Sequence, residues 1–453
     1  MEKKKFKLKF SIYQFLVLGY LSIILLGSIL LILPFSTQNG EQTSYINALF
    51  VSVSATCVTG LVPYDTATHW SLFGQIVILI LIQIGGLGFM TLVSVLYDVL
   101  GKNLSLYQRK MLMQTSGASK LTGVRRLIRR IVVGTLIAEG LGAAFLSIRF
   151  IPEFGAGKGI YYAVWHSVSA FCNAGFDLMG GAHGPFSSFT HYADDPLVIL
   201  TLSFLIISGG LGFCVWNDIF ENKCNLKKLK LHTKVILTVN TALLVVSTLL
   251  MFIFERNSAS VAGYGTGEQF LIAFFNAVSP RTAGFNVVDM GSLSESGNFF
   301  TVILMFIGGS PASTAGGIKI STMAVIFMGM LAVFKGRNEI VIGKKRLDES
   351  ALGQALAIFV SCFLLVALST LIICAIETNA AVTFTSALFE CVSALGTVGL
   401  SMSLTPTLSV ASKCILIVLM YAGRVGILTL ALALGERKKT IGTKRPLDNL
   451  LIG

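Results

Sequence analysis

Four short segments carry the residues whose types and spacing point to chemistry. They read Phe50-VSVSATCVTG-Leu61, Trp165-HSVSAFCNAG-Phe176, Phe274-FNAVSPRTAG-Phe285 and Phe389-ECVSALGTVG-Leu400. In each, an aromatic residue precedes a glycine by ten positions, and Leu or Phe follows that glycine. The first, second and fourth share Val-Ser-Ala at the same offsets, while Val278-Ser279-Pro280 stands one position out of register. What these segments offer is backbone. Glycine tolerates φ > 0 and lets the main chain come close to a ligand. Non-helical backbone cannot face lipid, where an unpaired carbonyl costs several kcal/mol, but it is allowed where it lines an aqueous path. Four such loops around one axis would supply carbonyl oxygens able to replace a cation's hydration shell. The expected ion-binding positions are Val58-Thr59-Gly60, Asn173-Ala174-Gly175, Thr282-Ala283-Gly284 and Thr397-Val398-Gly399, acting mainly through carbonyls. A cation at these loops is the only metal expected.

The rest of the chain must hold those loops in place. Its 453 residues have a mean hydropathy of +0.78 and only 13% charged residues. Soluble proteins carry about 25%, so a soluble enzyme is excluded. Apolar runs of span length recur throughout, and the first continues from the basic segment Met1–Phe10 to Leu33 without a small-residue cleavage site. It reads as a span rather than a removable leader.

The net charge of +13 is not gathered on one soluble face. Of 35 Lys and Arg, 28 fall in five clusters: Lys3–Lys9, Lys102–Arg130, Lys223–Lys234, Lys335–Arg346 and Arg437–Arg445. Acidic residues dominate between them. Basic flanks mark the cytoplasmic side, so five cytoplasmic segments and four excursions require eight spans, with both termini cytoplasmic. Lys223–Lys234 is compatible with an anionic-lipid or nucleic-acid patch, but the topological reading covers all five clusters and no nucleic-acid partner is expected.

The expected fold is an all-α integral membrane protein in which span, short helix, Gly-ending loop and span repeat four times around a pseudo-fourfold pore. The boundaries fall at 1–100, 101–231, 232–346 and 347–453, with pore loops near 50–61, 165–176, 274–285 and 389–400. The second spans are patterned too: Gln83-IGGLGF-Met90, Ser208-GGLGF-Cys214, Phe306-IGGSPASTAGG-Ile318 and Tyr421-AGRVGI-Leu428. Close helix packing accounts for the first two. The third differs. Gly308-Gly309-Ser310-Pro311-Ala312-Ser313-Thr314-Ala315-Gly316-Gly317 cannot form a stable continuous helix, so the span 299–334 is expected to be interrupted by a loop below the filter. This run, with Lys319, is a candidate gate. Arg424, placed by sequence opposite Leu87 and Leu211, is expected to project toward that loop and hold it through its carbonyls. Arg281 is expected to brace the filter from outside the ion path, paired with Glu390. Glu139 has no evident partner.

Taken together, the four pore segments, the Gly-Gly-Leu-Gly-Phe spans, Pro280-Arg281-Thr282-Ala283-Gly284-Phe285, the Gly308–Lys319 run and Gly423-Arg424 resemble the Trk/Ktr/HKT cation transporter superfamily. Thr397-Val398-Gly399-Leu400 is also close to the T-V-G-Y-G filter of potassium channels. The resemblance runs from about Ser11 to Gly435 and is nearest to KtrB-type membrane subunits of bacterial potassium uptake systems. It implies a homodimer in the bacterial cytoplasmic membrane, each protomer with its own pore. It also implies a cytoplasmic ring of KtrA-type RCK subunits that bind ATP or ADP. Gly60, Gly175, Gly284 and Gly399 become the selectivity positions, with Gly308–Lys319 and Arg424 as gating loop and partner. Plant relatives with serine at the first of these glycines tend to favour sodium, so Gly60 implies potassium. No nucleotide fingerprint and no cofactor are expected in this chain; Gly85-Gly86-Leu87-Gly88 follows a span, not a strand.

Eight cysteines lack metal-ligand spacing and read as small packing residues, although Cys57 and Cys172 beside the filter are candidates for thiol sensitivity. Five histidines read as too scattered for a metal cage. The alternative on the same fold is a sodium-selective or obligately sodium-coupled carrier. A membrane enzyme is disfavoured because paired catalytic carboxylates, ligand clusters and nucleophile motifs are missing from the sequence.

Overall fold

The computed structural model describes residues 11–91, 93–94, 112–113, 124–223, 225–337, 339–342, 345–378 and 382–435. Clusters Lys3–Lys9 and Arg437–Arg445, with Lys102, Arg109, Lys110, Lys120 and Lys344 of two others, lie outside the described residues.

Among the described residues, four helices are long and apolar enough to cross a membrane: Ile12–Leu31, Arg125–Phe154, Leu231–Glu255 and Ser350–Ile376. Their outward side chains are large and apolar, as at Leu26, Leu136, Ile253 and Leu371, each more than half exposed. Such a surface suits a hydrocarbon solvent and not water. Each long helix leads into a shorter one, respectively Tyr45–Thr56, Ala156–Phe171, Thr266–Val278 and Phe384–Gly396. After a loop comes an inner helix: Leu72–Leu87, Pro196–Gly210, Glu295–Phe306 and Val410–Val425. Hydroxyl and carboxylate caps begin most of these elements, including Ser44, Ser71, Asp195, Ser294, Thr383 and Ser409, each accepting from an N–H of the first turn.

The short helices form the buried centre. Phe50, Trp165, Phe275 and Phe389 are fully enclosed in them. In the third repeat the enclosed aromatic is Phe275 rather than Phe274, just as Ser279 stands one place later than its counterparts. The whole third helix is therefore shifted by one residue toward its loop.

The inner helices all break, where sequence reading expected an interruption only in the third. Pro196–Gly210 bends by 90° into Phe213–Glu221, and Val410–Val425 by 93° into Ile427–Leu434. The first stops at Leu87 and helix resumes at Phe89. Gly88, Gly212 and Gly426 stand at these breaks with φ of 79°, 92° and 88°. A left-handed residue terminates a helix, and glycine adopts it without steric penalty. The third helix leaves its axis at Phe306 and re-enters at Ile320 after a longer irregular run.

Candidate functional site: a glycine ring between two cavities

At the end of each short helix the chain enters one repeated conformation. Val58, Asn173, Thr282 and Thr397 have φ of 57°, 59°, 72° and 52°, and the glycines two places later have φ of 98°, 70°, 79° and 93°. One residue of ordinary handedness separates each pair. Alternating handedness turns successive carbonyls to one side, as an ion-coordinating strip requires.

The four glycines close into a ring. A methyl group on Gly60 would lie 2.6 Å from the Ala174 carbonyl oxygen, and one on Gly175 2.9 Å from that of Ala283. On Gly284 it would lie 2.5 Å from the Val398 oxygen, and on Gly399 2.1 Å from the Thr59 oxygen. The order is cyclic, repeat one to two to three to four and back to one. Thr59, Ala174, Ala283 and Val398 are all essentially inaccessible from outside.

Serines of the short helices brace the ring. Ser54 Oγ accepts from Gly60 N–H at 3.0 Å and Ser393 Oγ from Gly399 N–H at 3.1 Å. Ser169 Oγ donates to the Phe176 carbonyl at 2.7 Å, and Ser279 Oγ donates to that of Phe285. These bonds occupy the N–H groups or outward carbonyls and leave the strip carbonyls for the axis. The C-termini of all four short helices abut the ring, each bringing roughly half a negative charge from its macrodipole.

On the loop side of the ring lies a cavity of about 320 Å³ whose lining includes all four glycines with Asp65, Asp177 and Asp289. No Lys or Arg is among the described residues lining it. Asp65 is fixed by Ala67 N–H at 3.0 Å, Thr68 N–H at 2.9 Å and Phe186 N–H at 2.9 Å. Burial, reinforced by the negative charge of Asp65, pushes the Asp177 carboxyl up to about 7. On the other side a cavity of about 310 Å³ is lined by Gly86, Gly88, Ala312, Ala315, Lys319 and Arg424. One face is acidic and the other basic.

The run from Ile307 to Lys319 lies between the ring and the basic cavity. Gly316 approaches Thr397 so closely that a methyl group would lie 2.0 Å from its Oγ1, and Thr314 Oγ1 lies 3.2 Å from the Asn173 amide. The run is laced to its neighbours. Ser310 N–H donates to Gly210 O at 3.0 Å and Gly317 N–H to Gly423 O at 3.3 Å, while Ala312 O accepts from Phe213 N–H at 2.8 Å. The carbonyls freed by the inner-helix breaks thus find their partners here. Arg424 extends its guanidinium across the axis, donating to Thr314 O, Gly85 O and Gly86 O. Lys319 Nζ donates to Ala315 O at 2.7 Å and Gly316 O at 3.3 Å, both within its own run.

Several sequence expectations need correction. Arg424 does not take the place of Leu87 and Leu211. With the breaks at Gly88, Gly212 and Gly426 in register, it replaces Gly86 and Gly210. The close contacts agree: Gly85, Gly209 and Gly423 each press on the last carbonyls of a short helix, those of Thr56, Phe171 and Leu395. The helix-ending glycine and the first glycine of the pair before it give the same register, which places Arg424 at the second glycine of the pair. Arg281 does not pair with Glu390. It is buried and donates to Asn240 Oδ1, while Glu390 accepts from Ser401 Oγ and from Thr405 Oγ1, the latter at 2.8 Å.

Glu139 does have a partner, Gln83 Nε2, at 3.1 Å. The polar Gln83 inside an apolar span was the available signal. His183 and His191 are not scattered but stack with ring centroids 4.1 Å apart.

Cys57 and Cys172 are fully enclosed, and Cys172 Sγ packs against Gly86. A membrane-impermeant thiol reagent is therefore expected to leave uptake unchanged, as measured before and after treatment. Inhibition traced to either residue would contradict that enclosure.

Residues 13–439 match the profile of the TrkH family, described as cation transport protein. The chain is 38% identical over its full length to the potassium/sodium uptake protein NtpJ of Enterococcus hirae, 99% of which is covered. It is 39% identical to Ktr system potassium uptake protein B of Bacillus subtilis, with 95% of each chain covered. The crystal structure of the potassium transporter TrkH from Vibrio parahaemolyticus superposes with a TM-score of 0.74 at 19% identity, covering 96% of this chain and 87% of that one. With its apolar spans and its four-part architecture, the chain is a multi-pass membrane protein that belongs to the TrkH family of cation transport proteins.

Proposed function

We propose that this chain is the membrane subunit of a bacterial potassium uptake system. Potassium permeates the ring of Gly60, Gly175, Gly284 and Gly399, and the Gly308–Gly317 run with Lys319 and Arg424 is the gate. The observation that carries the reading is the cyclic contact of the four glycines, because it presents one carbonyl strip from every repeat to a single axis. The carbonyls replace the hydration shell, and the acidic cavity concentrates cations at the outer mouth. The membrane potential supplies about 2.3 kcal/mol per charge per 100 mV, roughly a fifty-fold accumulation without nucleotide hydrolysis. A guanidinium and an ammonium beneath the ring oppose the exit of a cation until the loop moves. The acidic cavity faces outward in this reading, and both termini are cytoplasmic.

The further parts of the proposal are a homodimer, sodium-dependent uptake, and control by a cytoplasmic KtrA-type RCK ring that binds ATP or ADP. The name potassium/sodium uptake protein supports the sodium part and the name Ktr system potassium uptake protein B supports a partner in a multi-protein system, while the homodimer and the nucleotide-binding ring are what the family resemblance implies. The test is expression in bacteria lacking their own potassium uptake, with and without sodium and a KtrA-type partner. Growth at low potassium is the expected result, and no rescue by membrane-inserted protein with its partner present overturns the reading. Retained sodium uptake without potassium uptake would favour the sodium carrier instead.

Asp177 adds a pH dependence. A carboxyl raised to about 7 is roughly nine-tenths charged at external pH 8 and one-tenth at pH 6. Lowering pH removes negative charge from the mouth, so uptake at limiting potassium is expected to fall severalfold across that interval. Asp177→Asn should be slow and flat over the same range. A flat wild-type profile would count against the role of Asp177.

A further inference from the structure

Glu153 at the end of the helix Val124–Phe154, His183 on the turn Gly180–His183 and His191 on the turn Thr190–Tyr192 converge at the surface. One potential ligand atom from each lies within 4.8 Å of the others. His183 Nε2 pairs with Glu153 Oε1 at 3.3 Å, and both His183 Nε2 and Glu153 Oε2 are buried atoms short of a well-aligned hydrogen bond. Nearby cations do not claim the site. Arg149 directs its Nε to Asp195 Oδ2 at 2.9 Å and only reaches Glu153 Oε2 at 3.9 Å, while Lys158 lies over the Phe154 and Tyr162 rings.

We propose that Glu153, His183 and His191 form a binding site for a borderline-soft divalent transition metal, with Zn²⁺ as its representative. Two imidazoles and one carboxylate are a zinc donor set, whereas calcium and magnesium take oxygen ligands. Ligand bonds of about 2.0–2.2 Å in a tetrahedron put donors about 3.3 Å apart. Closing from the observed spacing requires the exposed His191 ring to turn out of its stack on His183. Water takes the fourth position.

The site ties a span end to the segment that follows the second pore loop. Asp177, Phe186 and Ser188 of that segment line the acidic cavity, and Phe186 N–H holds Asp65. Metal binding therefore stiffens one wall of the cavity, and a resulting change in uptake rests on the transport reading above. Binding itself does not.

The test uses the full chain purified in detergent and titrated with Zn²⁺ by calorimetry, with Co²⁺ absorption reporting coordination. One ion per chain and a tetrahedral Co²⁺ spectrum are expected. His191→Gln should weaken binding at least tenfold, and His183→Gln with Glu153→Gln should abolish it. His191 is exposed, so its variant keeps the test independent of folding, which is checked by thermal unfolding without metal. Absence of binding to the wild type, or unchanged affinity in His191→Gln, overturns the site. Binding that persists while uptake rescue fails would leave the metal site standing and sink the transport reading.

Discussion

Arg424→Ala is expected to raise potassium flux through the partner-free protein about a hundredfold. The guanidinium bridges two repeats to the loop run, donating to Thr314 O on one side and to Gly85 O and Gly86 O on the other. Hydrogen bonds to a charged group contribute about 1.5–3 kcal/mol each. Losing the bridge should weaken the closed arrangement by about 3 kcal/mol, which shifts an open–closed equilibrium by roughly two orders of magnitude. Lys319 cannot substitute, because both its acceptors lie in its own run. Alanine also removes a positive charge from beneath the ring, which acts in the same direction. Deleting Gly308–Gly317 should produce the same increase by removing the obstruction itself. Flux measured in liposomes with purified variants decides the matter, and unchanged or lower flux in both would falsify the gate.

The second large effect is on selectivity. Gly60→Ser is expected to reduce the K⁺/Na⁺ permeability ratio at least tenfold. At φ 98° a side chain is strained, and its Cβ would sit 2.6 Å from the Ala174 oxygen and 3.0 Å from Gly175 Cα. The ring must widen or the Ala174 carbonyl must turn, and either change alters the coordination that sets the preference. Strain of this kind costs of order 1–3 kcal/mol, the same size as the discrimination at stake. Gly399→Ala is the harsher variant, since its methyl would meet the Thr59 oxygen at 2.1 Å. Reversal-potential measurements under paired ion gradients provide the readout. If Gly60→Ser keeps the wild-type ratio, the ring is not the filter.

How much of this was legible in the sequence depended on whether a feature repeats. The four Gly-ending segments stand out because one steric demand, a left-handed glycine touching its neighbour's backbone, is imposed four times. The Gly308–Gly317 interruption is visible because a ten-residue run with four glycines and Pro311 cannot carry a span's helix through. The other inner-helix breaks are not, because a single glycine serves equally for close packing and for termination; only the positive φ at Gly88, Gly212 and Gly426 separates the two. That ambiguity also displaced Arg424 by one position. Pairings such as Gln83 with Glu139, Arg281 with Asn240 and Glu153 with His183 join residues far apart in the chain, and no local periodicity encodes them.

The cyclic order of the glycine contacts also bears on how such a protein is made. The last link of the ring, Gly399 on Thr59, joins the end of the chain to its beginning, and Tyr421 Oη donating to Val17 O at 2.6 Å seals the same seam. A ribosome delivers the repeats one at a time. Until the fourth arrives, the first three hold an open arc and not a closed conduit, with no sized opening for an ion to use. A product that stops before the fourth repeat therefore lacks the contact that closes the ring, and with it a pathway of defined size.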